Sequence, residues 1–247
     1  MRVIKIGGNE LGDPYFLKGL AQAVAVMAEP AIIVHGGGRD IAALQQRLGL
    51  ETIKIDGLRV TDAESLAVAQ MVLSGHANKQ IVKALLAAGV QAVGLSGVDG
   101  RLLTCAKKEH PTADLGFVGT VTAVNTPLLL SLIQQNLTLV ISPISIGLDG
   151  ATYNVNADEA ASAIAGALSA DILDFVSNVP GVLHNGRVLP QLTVHQTETL
   201  IADGIIRDGM VPKVRAALEA IQLGVHQARI VNLAGLEKQA GTVFRHI

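Results

Sequence analysis

An α/β fold with a mostly parallel central sheet is the class this chain predicts, on three observations. Short apolar strands alternate with helical patterns along its 247 residues, the order that builds a parallel sheet through helical crossovers. Hydrophobic residues make up 49% of the chain but aromatics only 2%, with no Trp. The core must therefore come from Ala, Val, Leu and Ile, which suits a sheet buried on both faces under Ala-rich helices. Glycine and polar residues also collect just after strands, where open α/β sheets bind ligands.

In chain order, residues 3–6 read as a buried strand that stops at Gly7 and Gly8. Residues 14–28 read as a helix, with Asp13 as N-cap and Pro14 at the first helical position. Residues 31–35 form a second buried strand, ended by three glycines, and a helix over 39–48 follows. The alternation over 52–60 around Asp56-Gly57 is a hairpin signal. Residues 62–73 and 78–88 read as two helices and 91–95 as a strand. The stretch 98–124, with Asp99-Gly100 and Gly116, reads as hairpins on a sheet edge. A helix over 127–135 and a strand over 138–142 precede the polar segment 153–158, which opens an apolar helix at Ala157. After it come a strand over 172–176, helices over 194–202 and 212–223, and a strand over 227–231.

Several function classes are excluded by composition. The formal net charge is −2 and the 19 basic residues are spread along the chain, without the basic stripe that a nucleic-acid partner leaves. Cys105 is the only cysteine, so no intrachain disulfide forms; it reads as a small buried hydrophobe in a reducing compartment. No signal-peptide pattern opens the chain, and no apolar run approaches the ~20 residues of a membrane span. A soluble, cytoplasmic protein is expected.

Five motifs carry the chemistry. Lys5 lies in a buried strand before Gly7-Gly8, where it either snorkels to solvent or meets an anionic partner; the two glycines let backbone approach a phosphate. His35-Gly36-Gly37-Gly38-Arg39 exposes N–H groups at a helix start, an anion site, with His35 read as a structural residue that bonds backbone. It matches neither the dinucleotide fingerprint nor the Walker loop. Arg59, before an Asp62-capped helix, is either a solvated hairpin arginine or a fork for a carboxylate. In Asp208-Gly209-Met210-Val211-Pro212-Lys213, Pro212 presets a helix start and puts Lys213 in the first turn, where a cation is disfavoured unless an anion arrives. In Tyr153-Asn154-Val155-Asn156-Ala157-Asp158, Asn156 reads as the cap. Asp158 could hold two ammonium groups, and Asn154, on the loop before the helix, could donate to a bound carboxylate or amide.

Taken in order and spacing, "KIGG" at 5, "HGGG" at 35, "GLRVTD" at 57, "NVNAD" at 154, "NVPGV" at 178 and "DGMVPK" at 208 resemble the amino-acid kinase superfamily, most closely its branch acting on N-acetylglutamate. The match runs from Lys5 to Phe244. The resemblance implies a three-layer αβα sandwich in one domain over 1–247. Residues 1–170 would mainly bind the acyl amino acid and 171–247 the nucleotide. It also implies transfer of the ATP γ-phosphoryl group to the side-chain carboxylate of N-acetyl-L-glutamate, the second step of arginine synthesis. By carry-over, Lys5 and Lys213 neutralise the migrating group and Asp158 orients both lysines. Gly37, Gly38, Arg59 and Asn154 would bind the acceptor; Gly7, Gly8, Asn178, Gly181, Ile206 and Gly209 would serve nucleotide and phosphates, with Mg²⁺ carried on the nucleotide.

Asn178 stands where such kinases often have Asp, and "SNVPG" is similar to related kinases of carrier-bound aminoadipate or glutamate. "HGGGR" and "NVNAD" favour the free acceptor. A non-catalytic nucleotide sensor on the same fold is a further alternative, against which Lys5, Asp158 and Lys213 argue. The resemblance implies a homodimer built on the apolar helices between Asp62 and Ala88. Arginine-inhibited hexamers of such kinases use a helix before the first strand. With one residue ahead of Arg2, a dimer that arginine does not inhibit is expected.

Overall fold

The computed structural model describes residues 1–8, 10–207, 209–238 and 240–245. The first half runs β1 (Arg2–Ile6), α1 (Pro14–Ala25), β2 (Ala31–His35), α2 (Gly38–Arg47), the short strands β3 (Lys54–Ile55) and β4 (Leu58–Arg59), α3 (Ala63–Gln70), α4 (Asn78–Ala87) and β5 (Ala92–Ser96). Next come β6 (Leu103–Lys107), β7 (Val118–Val124), α5 (Thr126–Gln134), β8 (Thr138–Ser142), β9 (Ile144–Gly147), β10 (Thr152–Val155) and α6 (Ala157–Ala167). The remainder is β11 (Ile172–Val176), β12 (Leu183–His184), β13 (Arg187–Val188), β14 (Gln191–Leu192), α7 (Val194–Ala202), α8 (Met210–Gln222), β15 (Ala228–Val231), α9 (Leu233–Lys238) and β16 (Thr242–Phe244).

Eight strands form one sheet in the order β14-β16-β15-β11-β1-β2-β8-β5. Its pairs are parallel except β15 with β16. Strand β2 is buried at every residue, which explains its unbroken apolar run. Alternate residues feed opposite layers. Val3, Ile32, Val34 and Phe175 pack with Ala160, Ile164 and Ala217 of α6 and α8. Ile4, Ile6 and Ile33 pack with Leu20, Val24, Ile81 and Leu85 of α1 and α4. The three-layer αβα class follows. One ionic group crosses the sheet: Asp174, fully buried, accepts from Arg2 Nε at 2.7 Å and Arg229 Nε at 2.6 Å.

Asp13 caps α1 by accepting from Tyr15 N, and the helix ends at Ala25 rather than near 28. The hairpin at 52–60 forms, with Asp56 and Gly57 both at positive φ.

Four expectations need correction. The segment 98–124 is not a sheet edge: β6 and β7 do pair antiparallel, but they close a separate four-stranded barrel in the order β10-β7-β6-β9. Strands β9 and β10, short and interrupted by Gly147 and Gly150, carry too little apolar alternation to be seen in sequence. Asn154 therefore sits on β10, paired with Val118 of β7, not on a loop. The helices read as separate around Gly75 are one continuous run over residues 63–87, passing through wide π turns at Met71–Ala77. Burial of Val72, Leu73 and Ala77 overrides the glycine there. Helix α8 starts at Met210, so Pro212 stands within the first turn rather than opening it. Strands β12 to β14, β16 and helix α9 had no strong sequence signal.

Cys105 is buried in the barrel, and burial pushes its thiol up to about 11. Among the described residues no helix is long and apolar enough to cross a membrane.

Candidate active site

The site grows from two glycine loops at the carboxyl ends of β1 and β2. Gly36 N donates to Ile6 O at 3.1 Å, joining the loops at their bases. A Cβ on Gly8 would lie 2.5 Å from Gly37 N and 2.6 Å from its Cα, so only glycine lets the loops touch. Gly37 caps α2 without a side-chain hydrogen bond, leaving N–H groups of the first turn for an anion. His35 beneath them is fully buried. Its Nδ1 donates to Gly36 O at 3.0 Å and its Nε2 accepts from Asn78 Nδ2 at 3.3 Å. Burial holds its pKa down at about 4, so the ring is a neutral strut.

The three polar groups at the start of α6 divide their work. Asn156 is the cap, its Oδ1 accepting from Asp158 N at 2.7 Å and Glu159 N at 3.4 Å. Asn154 Nδ2 donates to Thr61 Oγ1 at 3.3 Å. Asp158 is thereby free for Lys5, whose Nζ lies 2.8 Å from Asp158 Oδ1, with side chains 16% and 34% exposed. The lysine inside the strand has its anionic partner and does not simply snorkel.

Arg59 is held from three sides. Nη1 donates to Gln45 Oε1 at 2.6 Å and Thr52 Oγ1 at 3.1 Å, and Nη2 to Gly38 O at 3.0 Å. Burial lowers its pKa from the ordinary arginine value. Gln45 is buried and donates in turn to Ser65 Oγ at 2.9 Å. Gly37, Gly38, Arg59, Asn154 and Asp158 all line one cavity of about 230 Å³. Five residues from three distant stretches of sequence thus share one wall.

Lys213 departs from expectation. Its Nζ donates to Gly209 O at 3.1 Å, and Asp158 pairs with Lys5. The two-ammonium grip on Asp158 is half made. The early start of α8 leaves the lysine stem over its own first turn, where a carbonyl is the nearest acceptor. Gly181 and Ile206 line a second cavity of about 140 Å³ with Val179, Val182 and Met210. Gly181 has φ 153, and a Cβ there would meet Thr242 Oγ1 at 2.7 Å. Asn178 is exposed just beyond β11, and Gly209 caps α8. Asp208 of the same motif lies outside the described residues. A groove of about 1160 Å³ is larger than either cavity but lies among α1, α4 and α9, and none of the predicted catalytic, acceptor or nucleotide residues lines it.

Sequence reasoning missed Gln45 and Glu159, and read Lys107-Lys108 only as a hint of a basic docking surface for a carrier protein. Glu159 Oε2 meets Lys108 Nζ at 2.8 Å, while its Oε1 accepts from Val121 N at 3.0 Å and from the Thr120 hydroxyl. This fastens the helix turn that carries Asp158 to the barrel. An acidic residue in a first turn reads as a dipole partner, so nothing in the sequence distinguished it.

Abutting glycine loops, a lysine–aspartate pair and an open helix start, all at the carboxyl ends of parallel strands, describe an α/β protein built to handle anionic groups. Residues 1–232 match the amino acid kinase family, and the chain belongs to that family. It is 54% identical over 234 residues to the acetylglutamate kinase of Roseiflexus castenholzii, covering 95% of this chain and 90% of that one. It is 43% identical over 253 residues to the acetylglutamate kinase of Methanopyrus kandleri, covering 99% and 100%. Among solved structures, smu.665 from Streptococcus mutans UA159 superposes with a TM-score of 0.83 at 31% identity, over 99% of this chain and 98% of that one. Giardia carbamate kinase, at 17% identity and a TM-score of 0.74 over 100% and 98% of the two chains, shares the fold.

Proposed function

We propose that this chain transfers the γ-phosphoryl group of ATP to the side-chain carboxylate of N-acetyl-L-glutamate, the second step of arginine synthesis. Relatives named acetylglutamate kinase, 41–54% identical over most of both chains, support the reaction. The observation that carries the site is the Lys5–Asp158 pair beside the cavity that Arg59 and Asn154 line.

A carboxylate is already nucleophilic at neutral pH, so no general base is needed. One carboxylate oxygen forms a bond to the γ-phosphorus as the bond to the bridging oxygen breaks, and ADP leaves. Catalysis then consists of alignment and charge stabilisation. Arg59 takes the acceptor's α-carboxylate, Asn154 its acetamido group, and the N–H groups of Gly37 and Gly38 its polar edge. Gly7 and Gly8 offer backbone to the phosphates. Lys5, oriented by Asp158, meets the migrating group from one side. Lys213 meets it from the other by leaving Gly209 O on its flexible stem. Asn178, Gly181, Ile206 and Gly209 hold the nucleotide, so residues 1–170 mainly serve the acceptor and 171–247 mainly the nucleotide within one domain.

Mg²⁺, when bound, would supply positive charge that offsets the charge of the phosphates. Among the described residues no group of three or more His, Cys, Asp or Glu is placed to hold an ion. Glu10 Oε2, buried beside Gly7 without a hydrogen-bond partner, is a protein oxygen near that loop.

A carrier-linked acceptor would call for a free basic surface, yet Lys107 pairs with Asp114 at 2.8 Å and Lys108 with Glu159. The homodimer is assigned to the helix over 63–87, where Met71 and Leu86 are exposed. The cytoplasm is the assigned compartment. Assaying ADP release with free N-acetylglutamate, free glutamate and carrier-linked aminoadipate tests the reading. Turnover should be fastest with N-acetylglutamate; a faster rate with the carrier-linked compound, or none with any, defeats it.

A further inference from the structure

The β3–β4 hairpin is short for the work it does. Each strand has two residues, and a two-stranded hairpin alone is marginal in water. It nevertheless supplies Lys54, Gly57, Leu58 and Arg59 to the wall of the acceptor cavity. Its base is well held. Val60 N donates to Ile53 O at 3.0 Å, and Arg59 makes its three bonds to Gln45, Thr52 and Gly38. Its tip is held by a residue from another element. Asp56 Oδ2, on a side chain 81% exposed, lies 3.0 Å from Nε2 of His110, whose side chain is only 12% exposed.

His110 is fixed by its own loop, between β6 and β7. Its Nδ1 accepts from Thr112 N at 3.4 Å, which leaves the Nε2 hydrogen to donate to Asp56. The loop is anchored at both ends. At its start Lys108 bonds Glu159, the residue after Asp158. At its end Thr61 N donates to Leu115 O at 3.0 Å and Phe117 N to Thr61 O at 2.7 Å. One strap therefore runs from the helix turn bearing Asp158, across the hairpin tip, to the hairpin's exit.

We propose that Asp56 and His110 form a clasp that sets the position of Arg59 over the acceptor, making both positioning residues for the reaction. The clasp ties the hairpin tip to a loop that is itself fastened to α6 through Lys108 and Glu159, so the hairpin, and Arg59 with it, is held closed over the acceptor. This rests on the assignment of Arg59 to that carboxylate. Neither residue lines the cavity, so they act on acceptor binding alone.

The test is steady-state kinetics on the full chain with His110→Ala, Asp56→Asn and the double variant. Asn tolerates the positive φ at position 56. Each single change should raise KM for N-acetylglutamate about 3–5-fold, the scale of one exposed hydrogen bond to a carboxylate, with kcat and KM for ATP unchanged. The double variant should be no worse than either single one. The reciprocal exchange, Asp56→His with His110→Asp, should recover part of the loss. Amide hydrogen exchange over residues 54–59 should quicken in Asp56→Asn. Unchanged acceptor KM, multiplicative effects in the double variant, an equal rise for ATP, or unaltered exchange would each overturn the clasp. Arg59→Lys is the control: if it raises acceptor KM while the clasp variants do not, only the clasp fails. If it leaves that KM unchanged, the carboxylate assignment has failed and the clasp with it.

Discussion

Lys5 of β1 and Asp158 of α6 meet at 2.8 Å, although they lie far apart in sequence. The contact joins the central strand of the sheet to the first turn of a helix that follows directly from the barrel. Asn156 makes it affordable by capping that helix itself.

Asp158→Asn should therefore leave the fold intact and lower kcat at least ~10²-fold, the scale of one preorganised electrostatic contact. Lys213→Ala should act similarly, with a double variant far from additive. Circular dichroism and single-turnover rates check both; a folded Asp158→Asn protein with near-normal kcat removes Asp158 from the catalytic set.

Gly8→Ala puts a methyl group 2.5 Å from the Gly37 backbone. Backbone cannot give way as a side-chain tip can, so the two loops must separate. Activity should fall at least tenfold and stability by about 1–3 kcal/mol, the range for overpacking. Urea denaturation and kcat/KM for both substrates measure this, and a variant indistinguishable from the parent would show that the loops are looser than described.

His35 predicts a pH dependence. Its folded pKa, about 4 through burial, lies below the unfolded value of roughly 6.5. Between those values the unfolded chain binds the proton and the folded one does not, so stability falls as pH drops through that window. Above the window the contribution is fully present; below it no more is lost. The total is about 3 kcal/mol, to within a pH unit's worth. Urea midpoints from pH 7 to 4 should show this slope in the parent and a flatter one in His35→Asn; parallel slopes would reject the assignment.

Asp174 lies between two arginines with no exposed surface. Asp174→Asn leaves both guanidinium groups without their carboxylate, and Arg229 Nη2 is already unpartnered. The loss should be about 3–5 kcal/mol, a fall in Tm of roughly 10 °C for a chain of this size. Calorimetry reads it directly. A change under one degree would mean that water or a shifted side chain replaces the carboxylate.

The strands at Arg2–Ile6, Ala31–His35, Thr138–Ser142 and Ile172–Val176 were legible because a strand buried on both faces is an apolar run with glycine or polar punctuation. The caps Asp13, Asp62 and Asn156 were legible because capping is local chemistry. What escaped depends on distant partners. The barrel closes through β9 and β10, four-residue strands that make sense only beside β6 and β7. The π turns answer to packing beneath them, and Ser74 meets Ser142 at 2.8 Å across that interface. Gln45 and Glu159 gain meaning only from residues that the fold brings to them. Lys213 was placed by a helix start that Pro212 signalled imperfectly.

The lone thiol offers a practical opening. Cys105 is buried and about 11 in pKa, so its thiolate fraction at pH 7 is on the order of 10⁻⁴. Maleimide and nitroxide reagents should pass it by. The unaltered chain is thus a silent background for site-directed probes: a cysteine introduced at an exposed position such as Leu148, with a second on the opposite helical layer, would carry a dye pair without first removing a native thiol. Distances within this kinase, with and without its two substrates, become measurable in solution from a sequence that has hidden its only competitor.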